Sequence, residues 1–196
     1  REAWSDGVLK DYLRRDKLDA RDAALASRLC YGVLQNRLLL DFYLSRFVKP
    51  PLKKLQPVVL DILRLGAYQL TMTDRIPASA AINEAVEQAK RSANRQAAGL
   101  VNGALRAMAR TGEDLPAPPD LATKYSPPAP LVELFRENVG ETLLEPLLQS
   151  NNAAPPTAVQ HNPLRCPEPA LLGAWEEKGV LWTRHPWMPG CFQLTG

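Results

Sequence analysis

Three thiols, two imidazoles and a set of guanidinium groups are the side chains of this sequence with chemistry to offer. Cys30, Cys166 and Cys191 have the type of a nucleophile or a metal ligand, yet they are widely spaced and no pair forms Cys-x-x-Cys. An odd, scattered set supports neither a disulfide framework nor a zinc knuckle, and reads as reduced thiols of a cytoplasmic protein. His161 and His185 stand 24 residues apart with no acidic partner in register, so both are read as non-catalytic. Glu84 and Glu87 have the spacing of an acid/base pair, but Lys90 and Arg91 beside them make exposed helix carboxylates the simpler reading. No metal site is expected.

The cations are the larger resource. Arg21 and Arg28, seven apart, share a side of one helical stretch. Arg95, Asn102, Arg106 and Arg110 fall on the side of another that lies opposite Val101 and Leu105. Arg37, Arg75, Lys90 and Arg91 stand at helix ends, where a folded bundle can gather them. Such groups neutralise phosphates, the main source of RNA affinity, while shape and unstacked bases add specificity. A plain solvated face is the competing reading for each of them. Asn83 and Asn102 flank the apolar arcs of adjacent helices and are read as hydrogen bonds tying helices together or to a nearby loop. Gly99 and Gly103 are read as permitting close helix packing, and Trp175, Trp182 and Trp187 as core of a small module.

The elements that must position these groups divide the chain in two. Residues 1–115 carry 19 Lys/Arg against 13 Asp/Glu, a net of +6, and 4 of the 18 prolines. Residues 116–196 carry 5 against 8, a net of −3, and the other 14 prolines. The first part can hold long helices and the second cannot. With 45% hydrophobic residues and a formal charge of only +3, full disorder is excluded. No apolar stretch approaches the ~20 residues of a membrane helix, and no secretory leader opens the chain. The chain begins with Arg1 rather than Met, so its ends are read as cuts in a longer protein.

Six helical patterns follow one another without a strand. Ser5 precedes the first, on which Val8, Leu9, Tyr12 and Leu13 share a side. Asp19 and Asp22 open the second, which keeps Leu25, Leu29 and Val33 in step. The third runs from Leu38 to Val48 and stops before Pro50-Pro51. Pro57 suits the first turn of the fourth. Ala78–Arg91 and Arg95–Arg110 complete the bundle, joined by Ser92-Ala93-Asn94. Residues 113–124 read as a stiff proline-rich linker. Ser126 with Pro127 and Pro128 reads as a helix start, with Gly140 as its end and a further short helix at 141–150. Beyond Pro155 come a strand at Thr157–His161, a helix at Glu168–Lys178, and strands at Gly179–Trp182 and Cys191–Thr195. That order reads as a small partial α/β module, and a sheet of so few strands is marginal alone.

Three bundle segments are distinctive together: Leu63-Arg64-Leu65-Gly66-Ala67-Tyr68-Gln69-Leu70, Ile82-Asn83-Glu84-Ala85-Val86-Glu87-Gln88-Ala89-Lys90 and Val101-Asn102-Gly103-Ala104-Leu105-Arg106. The last two resemble the signature of the NusB fold, an all-helical RNA-binding domain. Arg21-Asp22-Ala23-Ala24-Leu25, the run Tyr31 to Arg37, and Asp74-Arg75-Ile76-Pro77-Ala78 look like the amino-terminal region of the RsmB (Sun/Fmu) 16S ribosomal RNA cytosine-C5 methyltransferases. Tyr125-Ser126 followed by Leu131-Val132 fits too, although Pro127 and Pro130 stand where that family has His and Trp.

The resemblance implies a mainly α chain. A NusB-like RNA-binding domain would span 1–112, a linker 113–124, and a helical connector with a partial, RNA-recognition-like α/β module 125–196. It implies small-subunit ribosomal RNA as the partner. It also implies S-adenosylmethionine as methyl donor in the full-length protein, used by a catalytic domain beyond Gly196. In that family a cysteine thiolate attacks C6 of cytosine to activate C5. No cysteine here occupies a matching motif and no glycine-rich loop follows a strand, so this chain alone is expected neither to bind the donor nor to methylate. Two other readings stay open: a stand-alone NusB-like antitermination factor, and a helical protein-interaction module with no RNA role. The α/β region speaks against the first of these, and salt-independent binding would favour the second.

Overall fold

The computed structural model describes residues 5–112, 114–153 and 155–195, which form two compact units, one ending at Asn152 and the other beginning at Ala153. The first is entirely helical, and the periodicity of its sequence accounts for most of it. Helix α1 covers Ser5–Asp16. Ser5, whose sequence position suggested a cap, lies inside its first turn. Helix α2, Ala20–Gln35, is capped as its sequence predicts: the Asp19 carboxylate accepts from the Asp22 N–H at 2.8 Å. The Tyr31 hydroxyl donates to Asp6 at 2.6 Å and ties α1 to α2. Hydrogen bonds from Lys10 and Tyr31 hold the Asp6 carboxyl below its usual range.

Helix α3, Arg37–Phe47, ends before the two prolines, and a 3-10 turn at Leu52–Lys54 leads into α4, Pro57–Met72. Pro57 occupies the first turn, where its missing N–H costs nothing. Helix α5, Ala78–Ser92, and helix α6, Arg95–Thr111, form a tight antiparallel pair, with the Asn94 side chain accepting from the Ala97 N–H at 2.8 Å. The core gathers Leu40, Leu44, Leu63, Ala67, Ala89, Val101 and Leu105, all fully buried. Arg64 lies near this core and forks onto Asp41 at 2.8 and 2.7 Å, joining α4 to α3. That hydrogen bonding raises the already high pKa of its guanidinium, which stays charged.

The close-packing glycines are not those the spacing suggested. A Cβ at Gly99 or Gly103 would meet nothing within 4 Å. Gly32 and Gly66 are the tight positions, where a Cβ would stand 2.1 Å from the Tyr68 ring and 2.5 Å from Leu105. Gly99 and Gly103 instead border open space, because the packed side of α6 is the opposite one, carrying Val101 and Leu105.

The proline-rich segment is shorter than the sequence implies. Its last residues fold as α7, Leu121–Tyr125, capped by Asp120, whose carboxyl is held low by the Thr123 N–H at 2.6 Å. Leu115 packs on the helical core, so this stretch is laid against the bundle and is not a free tether. Ser126 does not start a helix. It takes left-handed angles (φ 61°, ψ 21°) at the end of α7, and its hydroxyl accepts from the backbone N–H groups of Leu38 and Leu39 at 3.1 and 3.2 Å. Those are first-turn donors of α3, left open because the Asn36 amide turns back to the Gly32 carbonyl. The next helix, α8, begins at Ala129 and reaches Asn152, broken at Gly140 (φ 74°) as that glycine suggests. Val132, Leu144 and Leu148 form a second small core with Leu121, Tyr125 and Phe135. Asn152 closes the unit, donating to the Tyr125 carbonyl and accepting from the Gln35 amide. The connector expected to accompany the sheet, from 125 onward, falls in the helical unit as far as Asn152, tied to α2 and α3 by the hydrogen bonds of Ser126 and Asn152.

The second unit holds β1 (Thr157–Gln160), α9 (Glu168–Glu177), β2 (Trp182–Arg184) and β3 (Cys191–Leu194). The sheet is antiparallel in the order β1-β3-β2, with Val159 opposite Phe192 and Arg184 also opposite Phe192. The edge strand β2 begins later than expected. Gly179 (φ 66°) and the Val180 N–H, bonded to the Trp175 carbonyl, turn the chain after α9, which delays pairing to Trp182. Phe192 is fully buried and meets Trp175 and Trp182 edge-on, with centroids 5.5 and 5.2 Å apart. Trp187, expected in this core, is 82% exposed, its ring edge-on to that of His185 in the loop between β2 and β3.

Candidate nucleic-acid interface

A helix seven to eight residues into its run returns to the same side after two turns, and this rule lines up the cations of α6. Arg95, Arg106 and Arg110 are exposed along one side, with Val101, Leu105 and Met108 buried on the other. From Arg95 to Arg110 the strip extends about 22 Å at the helical rise. Asn102 sits half-buried on its flank. It ties no helices together: its carbonyl oxygen accepts from Arg106 Nε at 2.8 Å and so holds that guanidinium in place. Asn83 is exposed on α5 and likewise makes no bond between helices among the described residues. None of Arg95, Arg106 and Arg110 has a carboxylate within 4 Å among the described residues, so their charge is free for an external anion.

The other predicted cations are only partly brought to this strip. Arg91 is exposed in the last turn of α5, four residues before Arg95. Lys90 is beside them, but its ammonium lies 2.6 Å from Glu87, whose carboxyl it holds low, so its charge is already partnered. Arg75 is exposed in the turn between α4 and α5, at the end of the α5–α6 hairpin where Arg110 also lies. Arg37 stands in the first turn of α3 beside the Ser126 cap, and Arg21 and Arg28 are exposed on α2, which packs mainly on α4. These three stand apart from the strip.

Lys49, Lys53 and Lys54 were missed. They lie in the short segment between α3 and α4, exposed and without a carboxylate within 4 Å among the described residues. Lys49 and Lys54 border an open cleft of about 730 Å³ against the glycine side of α6. The dipeptide Lys53-Lys54 after two prolines was the available signal, but periodicity has nothing to say about a turn. The thiols gather no site: Cys30 and Cys166 are half-buried, Cys191 is buried, and all three are free. His161 faces the Cys166 carbonyl at 2.7 Å, and the His185 ring accepts from the backbone of Trp187 and Met188. No group of three potential metal ligands occurs among the described residues, and none of their helices is long and apolar enough to cross a membrane.

The NusB family matches residues 1–110. The chain is 33% identical to the "Probable ribosomal RNA small subunit methyltransferase B" of Bacillus subtilis, over 91% of its own length and 41% of that protein's. It is 31% identical to the "Ribosomal RNA small subunit methyltransferase B" of Salmonella arizonae, over 92% of this chain and 42% of the relative. A Synechocystis protein bearing the same name as the Bacillus one is 29% identical over the whole chain and 45% of its own length. The chain thus spans less than half the length of these relatives. The solved structure of PH0851 superposes on 95% of this chain, and on 43% of its own, with a TM-score of 0.63 at 17% identity, a likeness of fold. The match over 1–110 and the continuous similarity beyond it lead to one assignment: the chain belongs to the NusB family, in the form that opens the RsmB/Sun/Fmu proteins.

Proposed function

We propose that this chain is the RNA-binding part of an S-adenosylmethionine-dependent 16S ribosomal RNA cytosine-C5 methyltransferase of the cytoplasm. Its task is to hold small-subunit RNA so that a catalytic domain outside these residues reaches one cytosine. The observation that carries the reading is the strip of exposed guanidinium groups, Arg95, Arg106 and Arg110, on a NusB-family helix, with no carboxylate within 4 Å of them among the described residues. Unpaired cations along one helix side gain most from phosphates, because they give up water and counterions without giving up a protein partner. The names of the relatives support methyl transfer to small-subunit ribosomal RNA, and the cytosine-C5 position and the donor follow from the sequence resemblance.

On this reading the methyl donor is held by residues outside this chain. None of β1, β2 and β3 leads into a glycine-rich loop, and Gly99 and Gly103 lie within α6.

The reading is tested with the 196-residue chain and a hairpin of small-subunit RNA. Arg95→Glu with Arg106→Glu should weaken binding by at least tenfold and flatten its salt dependence, with the helical circular dichroism unchanged. Binding that ignores both salt and these changes would overturn it. Methyl transfer is measured with the product of the entire gene.

A further inference from the structure

Gly99 and Gly103 lie one turn apart on α6 and leave its backbone bare along one side. That side faces the cleft of about 730 Å³, within the range of ~300–1,000 Å³ that small-molecule sites occupy. Phe47, Leu55 and Leu100 give it apolar walls, all of them half-buried and so partly available to an occupant. Gln56 and Gln96 place side-chain amides at its border. Lys49 and Lys54 supply its charge, and no carboxylate lines it.

These features select their occupant. Two ammonium groups with no acidic neighbour call for an anion. An aromatic ring and aliphatic walls call for a flat apolar face, and the amides offer both donors and acceptors to a heteroatom edge. We propose that this cleft holds an unpaired nucleotide of single-stranded RNA, its base against Phe47 and Leu100 and its phosphate at Lys49 and Lys54. The proposal rests on the RNA-binding reading above and deepens it. The strip on α6 meets backbone phosphates, which any RNA offers. The cleft admits a base only where it is splayed out of a helix, because duplex bases are stacked and their edges recessed. The glycines have a purpose here that packing does not give them: a side chain at either position would fill the space.

The test uses the whole 196-residue chain with two fluorescein-labelled RNAs of equal length, one unstructured and one a closed duplex hairpin. Gly103→Leu fills the cleft with no neighbour to displace, so the bundle is kept, as its thermal transition will show. Affinity for the unstructured RNA should fall about tenfold or more, the worth of one stacked base, while the duplex binds as before. Lys49→Gln with Lys54→Gln touches only the rim. It should weaken single-strand binding and lower its salt slope by about 1.4. If the filled variant binds unstructured RNA as well as the parent, or loses both RNAs equally, the cleft is not a nucleotide site. In that case the RNA reading survives provided Arg95→Glu with Arg106→Glu still weakens binding. If the parent chain binds neither RNA, both proposals fail together.

Discussion

The two units of this chain are stabilised on different scales. The helical unit rests on a continuous core running from Leu40 to Met108, with a satellite around Val132 and Leu148. The sheet unit has one large residue fully buried, Phe192, between two tryptophans that remain partly exposed. A core of many members spreads the loss of any one of them, and a core of one member does not. Stability of about 0.05–0.15 kcal/mol per residue leaves a unit of this size only a few kcal/mol to lose. The difference teaches where tolerance lies: the helical unit can carry bare glycines and unpaired cations on its surface, while the sheet unit has little left over for such features.

Phe192→Ala presses hardest on that contrast. It should remove about 3–5 kcal/mol and unfold the sheet unit, abolishing the near-ultraviolet signal of Trp175 and Trp182. The main helical transition should stay in place, and a lowered helical melting temperature would show that the two units share their stability. Gly32→Ala makes the matching change inside the larger core. Its new methyl meets the ring of Tyr68, itself buried among the helices, and should cost about 2 kcal/mol, read as a shift of the denaturant midpoint without loss of the fold. Ser126→Ala is the mildest and asks to which unit the residues after the proline-rich segment belong. Losing the cap on α3 should lower the helical transition by about 1 kcal/mol and leave the sheet untouched.

Much of the helical architecture was legible because its signals are local. Asp19 and Asn94 cap the helices they precede, Pro57 starts one, and the two prolines after Lys49 end another. Gly140 breaks α8 where its sequence places a stop. What failed was information held between distant positions. The role of Ser126 depends on Leu38 and Leu39, far back in the chain, so its own neighbours misled. Gly32 and Gly66 cannot be told from Gly99 and Gly103 by spacing, since only the fold decides which side of a helix receives a neighbour. The α6 strip was readable from helical periodicity. The partnering of Lys90 by Glu87 and the border of lysines facing Gly99 were not, because an ion pair and a turn conformation carry no period.

The hydroxyl of Ser126 draws a boundary that similarity alone would place elsewhere. The family match stops at residue 110, and a protein trimmed there would keep every buried residue of the main helical core, losing only Leu115 from those packed against it. It would also leave the amides of Leu38 and Leu39 without their acceptor and the Gln35 amide without the Asn152 carbonyl. Such a piece frays from the start of α3, whereas one that runs through Asn152 retains its own clasp. The smallest part of this protein that can be lifted out intact is set by where its hydrogen bonds close.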